Sequence, residues 1–203
     1  GYTQHVDAVK HPYFDFSVIK GLPKNENLTT QPGLAGLYSG VDDGVLIVCG
    51  GANFPDKMPW EGGEKQYYDE IFILKKQADG DFHWEKTNLR LPFVSAYGGT
   101  AETPHGLLCF GGNTNESSIS ESWFIDYNPE NGGIQITSGP DLPLPLTNFA
   151  FATVDGYLYV AGGLSNPAGS AEKVFFRLPV TGDNPSDWKW ERLPAWPGAS
   201  RAF

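Results

Sequence analysis

Basic residues are scarce in this 203-residue chain: 14 Lys and Arg stand against 24 Asp and Glu, for a net charge of −10. Phosphate backbones and anionic membrane surfaces are repelled on average, so neither is an expected partner. Long apolar runs are missing as well. None approaches the roughly 20 residues that a spanning helix needs, so no membrane insertion is expected, and the polar start "GYTQHVDAVK" carries no apolar leader core. Sustained helical periodicity is hard to find. Cysteine is reduced to two residues, Cys49 and Cys109, each directly before a Gly-Gly pair. Equivalent places in successive units would set them too far apart to bridge, so buried free thiols are expected. The four histidines are scattered without metal-ligand spacing, and neither a metal nor a cofactor is expected.

What is present is turn chemistry and β-prone apolar residues. Hydrophobic residues make up 40% of the chain and aromatics 14%, enough for a packed core, while 25 Gly and 16 Pro punctuate it. The run "VLIVCGG" (Val45–Gly51) returns as "GLLCFGG" (Gly106–Gly112) and as "YLYVAGG" (Tyr157–Gly163). The Gly pairs begin at positions 50, 111 and 162, spacings of 61 and 51 residues that approach the period of roughly 50 in kelch repeats. No helical pattern follows any of them, which excludes a nucleotide cradle. They read instead as the ends of buried strands, where tight packing and positive φ favour glycine.

Each unit divides into four strands. The first is "GLAGLYSGV", "VLIVCGG", "YYDEIFILKK" and "FHWEKTN"; the second "SAYGGTAET", "LLCFGG", "ESWFIDYN" and "IQITSG"; the third "NFAFATVD", "YLYVAGG", "EKVFFRLPV" and "WKWERLP". We call these strands a to d. Strand a is rich in small residues, as suits strands crowded round an axis, and strand b is apolar throughout, as suits burial on both faces. The expected architecture is an all-β, kelch-type β-propeller, with about three four-stranded blades of a probable six-bladed ring. The units fall at residues 32–90, 91–141 and 142–194. An N-terminal segment, 1–31, holds a strand-like stretch (Tyr13–Pro23) that would close another blade, and 195–203 begin a further one. Three blades do not readily close a ring. Closure is expected from further blades of a longer protein, from a homo-oligomer, or from an additional chain.

The stretch "GLAGLYSGVDDGVLIVCGGANFPDKMPWEGGEKQYYDEIFIL", and "GGANFPD" within it above all, resembles the kelch-type, cyclically permuted mutarotase family, relatives of N-acetylneuraminate epimerase. The resemblance runs from about Pro32 onward. It implies a sugar mutarotase (an isomerase) acting on a sialic acid in carbohydrate metabolism. It also implies a periplasmic or secreted location and a small-molecule sugar acid as the partner. Mutarotation needs a base for the anomeric hydroxyl and an acid for the ring oxygen. In that family the proposed pair is a glutamate and an arginine, in a segment of Gly-Glu followed six residues later by Arg. The Gly-Gly runs here lead into "ANFPDK", "NTNESS" and "LSNPAG", and none matches. The catalytic residues are therefore expected outside this chain, in a blade following Phe203.

Antiparallel order puts the b–c loops and the d–a links on one face of the ring, where a ligand is expected. A sugar acid needs a cation or amide donors for its carboxylate, an aromatic face and polar side chains. The first b–c loop, Ala52 to Gln66, offers Asn53 and Asp56 as hydrogen-bonding groups, Trp60 as a stacking surface, and Glu61 with Lys65 as a charge pair. Tyr97 and Asn148 at the start of strand a, Asn113 after the second Gly-Gly, and Arg201 in "GASRAF" complete the candidate set. The competing expectation is a non-catalytic kelch propeller that binds a protein or glycan partner, since propellers host many functions.

Overall fold

A computed structural model describes residues 18–24, 31 and 33–203. Its regular structure is almost entirely strand. In the first sheet β1 (Tyr38–Asp42) turns through Asp43-Gly44 into β2 (Val45–Cys49). A long excursion follows, pinned by the two-residue strands β3 (Ala52–Asn53) and β4 (Gln66–Tyr67), before β5 (Glu70–Lys76) and β6 (Phe82–Arg90). The second sheet runs β7 (Gly99–Thr103), β8 (Gly106–Phe110), β9 (Ser122–Asn128) and β10 (Gly133–Ser138). The third runs β11 (Ala150–Val154), β12 (Tyr157–Ala161), β13 (Phe175–Pro179) and a short β14 (Glu191–Arg192). All three are four-stranded antiparallel meanders in a-b-c-d order, and β1 and β11 both lie against β7. The a strands thus share one axis, as in the blades of a β-propeller. Ser39, Thr100, Glu102 and Thr153 line the cleft there.

The period-2 patterning of the strands decides how the blades stack. Ile47, Cys49, Ile71 and Ile73 of blade 1 pack on Leu107, Cys109, Trp123 and Ile125 of blade 2. On the other face of blade 2, Leu108, Phe110 and Phe124 meet Leu158, Val160, Phe176 and Leu178 of blade 3. Each fully buried aliphatic side chain contributes about 1.5–3 kcal/mol relative to exposure, so these two seams supply the main stabilisation of the arc. Strand β8 is buried along its whole length, as expected of a b strand. Strand β12 is not: it alternates, because Tyr157 and Tyr159 lie on the face of blade 3 turned away from blade 2. Of the stretch Tyr13–Pro23, residues 13–17 lie outside the described residues and Val18–Pro23 carry no strand.

All six residues of the Gly-Gly pairs take positive φ, between 60° at Gly111 and 105° at Gly112. This is the backbone freedom expected of them.

The cysteines overturn one expectation. Cys49 and Cys109 are free and wholly buried, as expected, but they share one seam and are close enough to hydrogen-bond, so the separation expected to keep them from bridging does not hold. Strand b of one blade faces strand b of the next, so equivalence in the repeat brings the thiols together. Burial pushes the Cys109 thiol well above its ordinary range, and the hydrogen bond and charge of Cys49 push it the same way. Neither thiol should react with an aromatic disulfide reagent in the native protein at neutral pH, because both are wholly buried and closed off from the reagent. Both should react once the chain is unfolded in guanidinium. Rapid labelling of either thiol in the folded state would show that the blade 1–blade 2 seam opens.

Candidate functional site

The b–c loop of blade 1 is built as a ribbon with a protruding tip. Ala52 pairs with Tyr67 and Asn53 with Gln66, so the base of the loop is a small hairpin. The tip is a single 3-10 turn, Pro59–Glu61, entered through a proline and ended by Gly62 at φ 79°. This geometry sorts the candidate residues. Asp56 and Trp60 are carried out to the tip, and Trp60 is 81% exposed. Glu61 turns back on its own loop, where its Oε2 accepts from the Met58 N–H at 3.2 Å. The expected pair between Glu61 and Lys65 does not form. The tip and the base of the ribbon lie apart, and Lys65 faces two rings instead.

At the base the side chains converge on the d–a link of blade 2. The Lys65 Nζ lies 4.3 Å from the centroid of the Tyr97 ring and 5.5 Å from that of Tyr67. The two rings meet edge to face, with centroids 6.4 Å apart. Tyr97 sits at φ 61° and Asn148 at φ 52°, a region that costs non-glycine residues about 1–2 kcal/mol. The backbone explains why they share it. The N–H of Tyr97 donates to Gly36 O at 2.8 Å, that of Asn148 to Tyr97 O at 3.1 Å, and that of Phe203 to Asn148 O at 2.7 Å. Successive blades are thus stitched head to tail around the axis by one residue each. Gly36 carries no side chain because a Cβ there would lie within 2.8 Å of Tyr97 Cε1.

A buried amide locks this rim to its neighbours. Asn113, 5% exposed, donates through Nδ2 to the Tyr67 hydroxyl at 2.7 Å and to Thr114 O at 2.9 Å. Its Oδ1 lies 2.9 Å from Thr147 Oγ1, which is fully buried. Thr147 has one proton to give, and the oxygens of Tyr97 and Asn148 lie slightly farther off, each at 3.2 Å. Asn148 in turn donates to Phe203 O at 3.2 Å. Beside this network Asn53 accepts from the Tyr68 hydroxyl at 2.8 Å, and burial pushes the Tyr68 phenol upward.

Of the sequence candidates, then, the structure brings together Lys65, Tyr97, Asn113 and Asn148. Asn53 is buried beside Tyr68, and Asp56, Trp60 and Glu61 lie out on the loop. Arg201 is exposed and lines a separate cleft with Trp196 and Phe203. Sequence reasoning missed Tyr67 and Thr147. Laying the three units over one another would have marked Thr147, which stands where the others have Ala35 and Ala96. The resulting rim presents an ammonium, two phenols and the Asn148 carboxamide, with the buried Asn113 amide holding them from beneath. It suits a polar ring bearing hydroxyls and an anionic group. The carboxylate or imidazole that ordinarily takes a proton from an anomeric hydroxyl is not among these residues.

No family model matches the chain. It is 32% identical over 113 residues to an N-acetylneuraminate epimerase from Vibrio cholerae, a match covering 51% of this chain and 28% of that protein. A second, from Yersinia pestis, is 31% identical over 98 residues, 44% of this chain and 24% of that protein. The chain is a relative of the N-acetylneuraminate epimerases. It matches only about a quarter of the length of these curated relatives. Among solved structures, that of YjhT superposes with a TM-score of 0.64 at 17% identity, over 85% of this chain and 56% of that one. That likeness shows the fold, a β-propeller.

Proposed function

We propose that the whole protein of which this relative forms at least part is a mutarotase for a sialic acid such as N-acetylneuraminate, with blades 1 to 3 supplying part of its sugar-binding rim. The observation that carries the reading is the joining of Lys65, Tyr97, Asn113 and Asn148 on one face, in a chain related to epimerases of that sugar. The reaction is an isomerisation that needs no co-reactant. A base takes the proton of the anomeric hydroxyl as the bond from the anomeric carbon to the ring oxygen breaks, and an acid protonates that oxygen. Rotation and reclosure on the other face of the ketone give the second anomer. In this reading the acid and base stand on blades beyond these 203 residues, and the protein works in the periplasm or outside the cell.

Proton NMR of α-N-acetylneuraminate, freshly released by a sialidase, follows conversion to the β anomer directly. A protein extended to the length of the relatives should accelerate conversion over the uncatalysed rate, whereas this chain alone should not. Acceleration by the 203-residue chain would place the acid and base within it. No acceleration by a folded, extended protein would favour a non-catalytic propeller that binds a protein or glycan.

A further inference from the structure

We propose that Lys65 sets the specificity of this rim, its ammonium anchoring the carboxylate of the sugar and thereby selecting sugar acids over neutral sugars. The inference rests on the functional reading above and adds to it the group that reads the charge. In a chain of net charge −10, carboxylates are plentiful. Among the described residues Lys75, Lys86, Arg90 and Arg177 all have carboxylate partners. Lys65 has none, a state it shares with exposed cations such as Lys57, Lys76 and Arg201, but it is the one whose ammonium lies over the Tyr67 and Tyr97 rings of the rim, and the nearby Glu61 is occupied by the Met58 N–H. Two tyrosine rings hold its ammonium instead, through their faces. A ring face positions a cation without cancelling its charge, so the N–H groups turned away from the rings keep their capacity for an anion.

The support beneath the ammonium is pre-organised. Tyr97 is fixed by the strained backbone at φ 61° and lies over a glycine that can carry no side chain. Tyr67 is held through its hydroxyl by the buried Asn113 amide. Little ordering is left for the moment of binding, which favours affinity. A single ammonium also matches a monoanion. The residues around it are neutral phenols and amides, so a phosphate dianion would find no second cation in the cluster.

The test compares N-acetylneuraminate with its methyl ester, which keeps the ring and loses the charge, by ligand-observed NMR titration of the whole protein. Lys65→Met keeps the stem over the rings and removes the ammonium; Lys65→Arg restores a cation. Wild-type protein should bind the acid more tightly than the ester, and Lys65→Met should weaken acid binding by about 10- to 100-fold, the range of a charge-assisted hydrogen bond. Ester binding should stay within about twofold, and Lys65→Arg should recover part of the loss for the acid. Equal weakening of acid and ester would reduce Lys65 to a structural role and overturn the proposal. So would a Lys65→Met protein that still prefers the acid as strongly as wild type. A folded wild-type protein that neither binds nor isomerises the acid would bring down the functional reading itself, and the anchor with it.

Discussion

Gly112→Ala should cost the fold roughly 3–5 kcal/mol, the sum of a strained backbone and an overpacked seam. Gly112 is where three blades meet. Its N–H donates to Leu146 O of the link into blade 3 at 2.7 Å, and its own carbonyl accepts from Ile119 at 2.9 Å. Its φ is 105°. A Cβ would stand 2.6 Å from Ala96 O and 3.0 Å from the Gly98 N, and would press on the Tyr38 hydroxyl. None of these neighbours can swing aside. Two are backbone, and the Tyr38 hydroxyl is committed to Gly111 O at 2.6 Å in a site so dry that burial drives its phenol pKa far up. The natural control is Gly44→Ala, at φ 78° in the β1–β2 turn, where a Cβ meets nothing within 4 Å. That change should cost only the backbone term, about 1–2 kcal/mol. Urea denaturation of both variants separates the two terms. Equal losses would sink the crowding account and leave the Gly-Gly pairs explained by φ alone.

The same comparison shows what the sequence makes legible. A strand that is apolar at every position and stops at two glycines announces burial and a tight stop, and the threefold recurrence announces the blade. These are local signals, carried by residues within a few positions of each other. The meeting of Cys49 with Cys109 is not local. It depends on strand b of each blade facing its counterpart in the next, a consequence of stacking that no spacing displays. The rim follows the same division. Tyr97 and Asn148 could be singled out because each stands at the start of a strand a, where the first unit has Gly36. Trp60 and Asp56 have suitable chemistry, but both stand on the exposed tip of the loop, Trp60 within its 3-10 turn and Asp56 before it. Tyr67, which looks like one more strand residue, is drawn in by an amide 46 positions away. Residue type points to chemistry, but the ribbon of β3 and β4 decides which chemistry reaches the axis.

Asn113 offers the second large effect, and one with a signature of its own. Asn113→Ala removes a donor from the Tyr67 hydroxyl and an acceptor from Thr147, and should cost about 1–3 kcal/mol. The lower end applies if Thr147 turns its proton to Tyr97 O or Asn148 Oδ1, both at 3.2 Å. This loss should not vary with pH, since no titrating group is added. Asn113→Asp keeps the shape but sets a carboxyl oxygen against Thr114 O, where the amide donated at 2.9 Å. Protonated, the new side chain can still donate once; ionised, it can only accept, in a position 5% exposed. Burial should therefore raise its folded-state pKa above the ordinary value of about 3.9. A raised folded pKa means that the unfolded chain gives up this proton first as pH rises. The Asp variant should accordingly come nearest to wild-type stability below about pH 4 and lose ground as pH climbs towards the raised pKa. Above that pKa the deficit should level off. Urea denaturation of wild type and both variants between about pH 3.5 and pH 8 reads this directly. A flat deficit for Asn113→Asp across that interval would mean the position is wetter than the structure places it, and the amide bridge from Tyr67 to Thr147 would no longer explain how the rim is held.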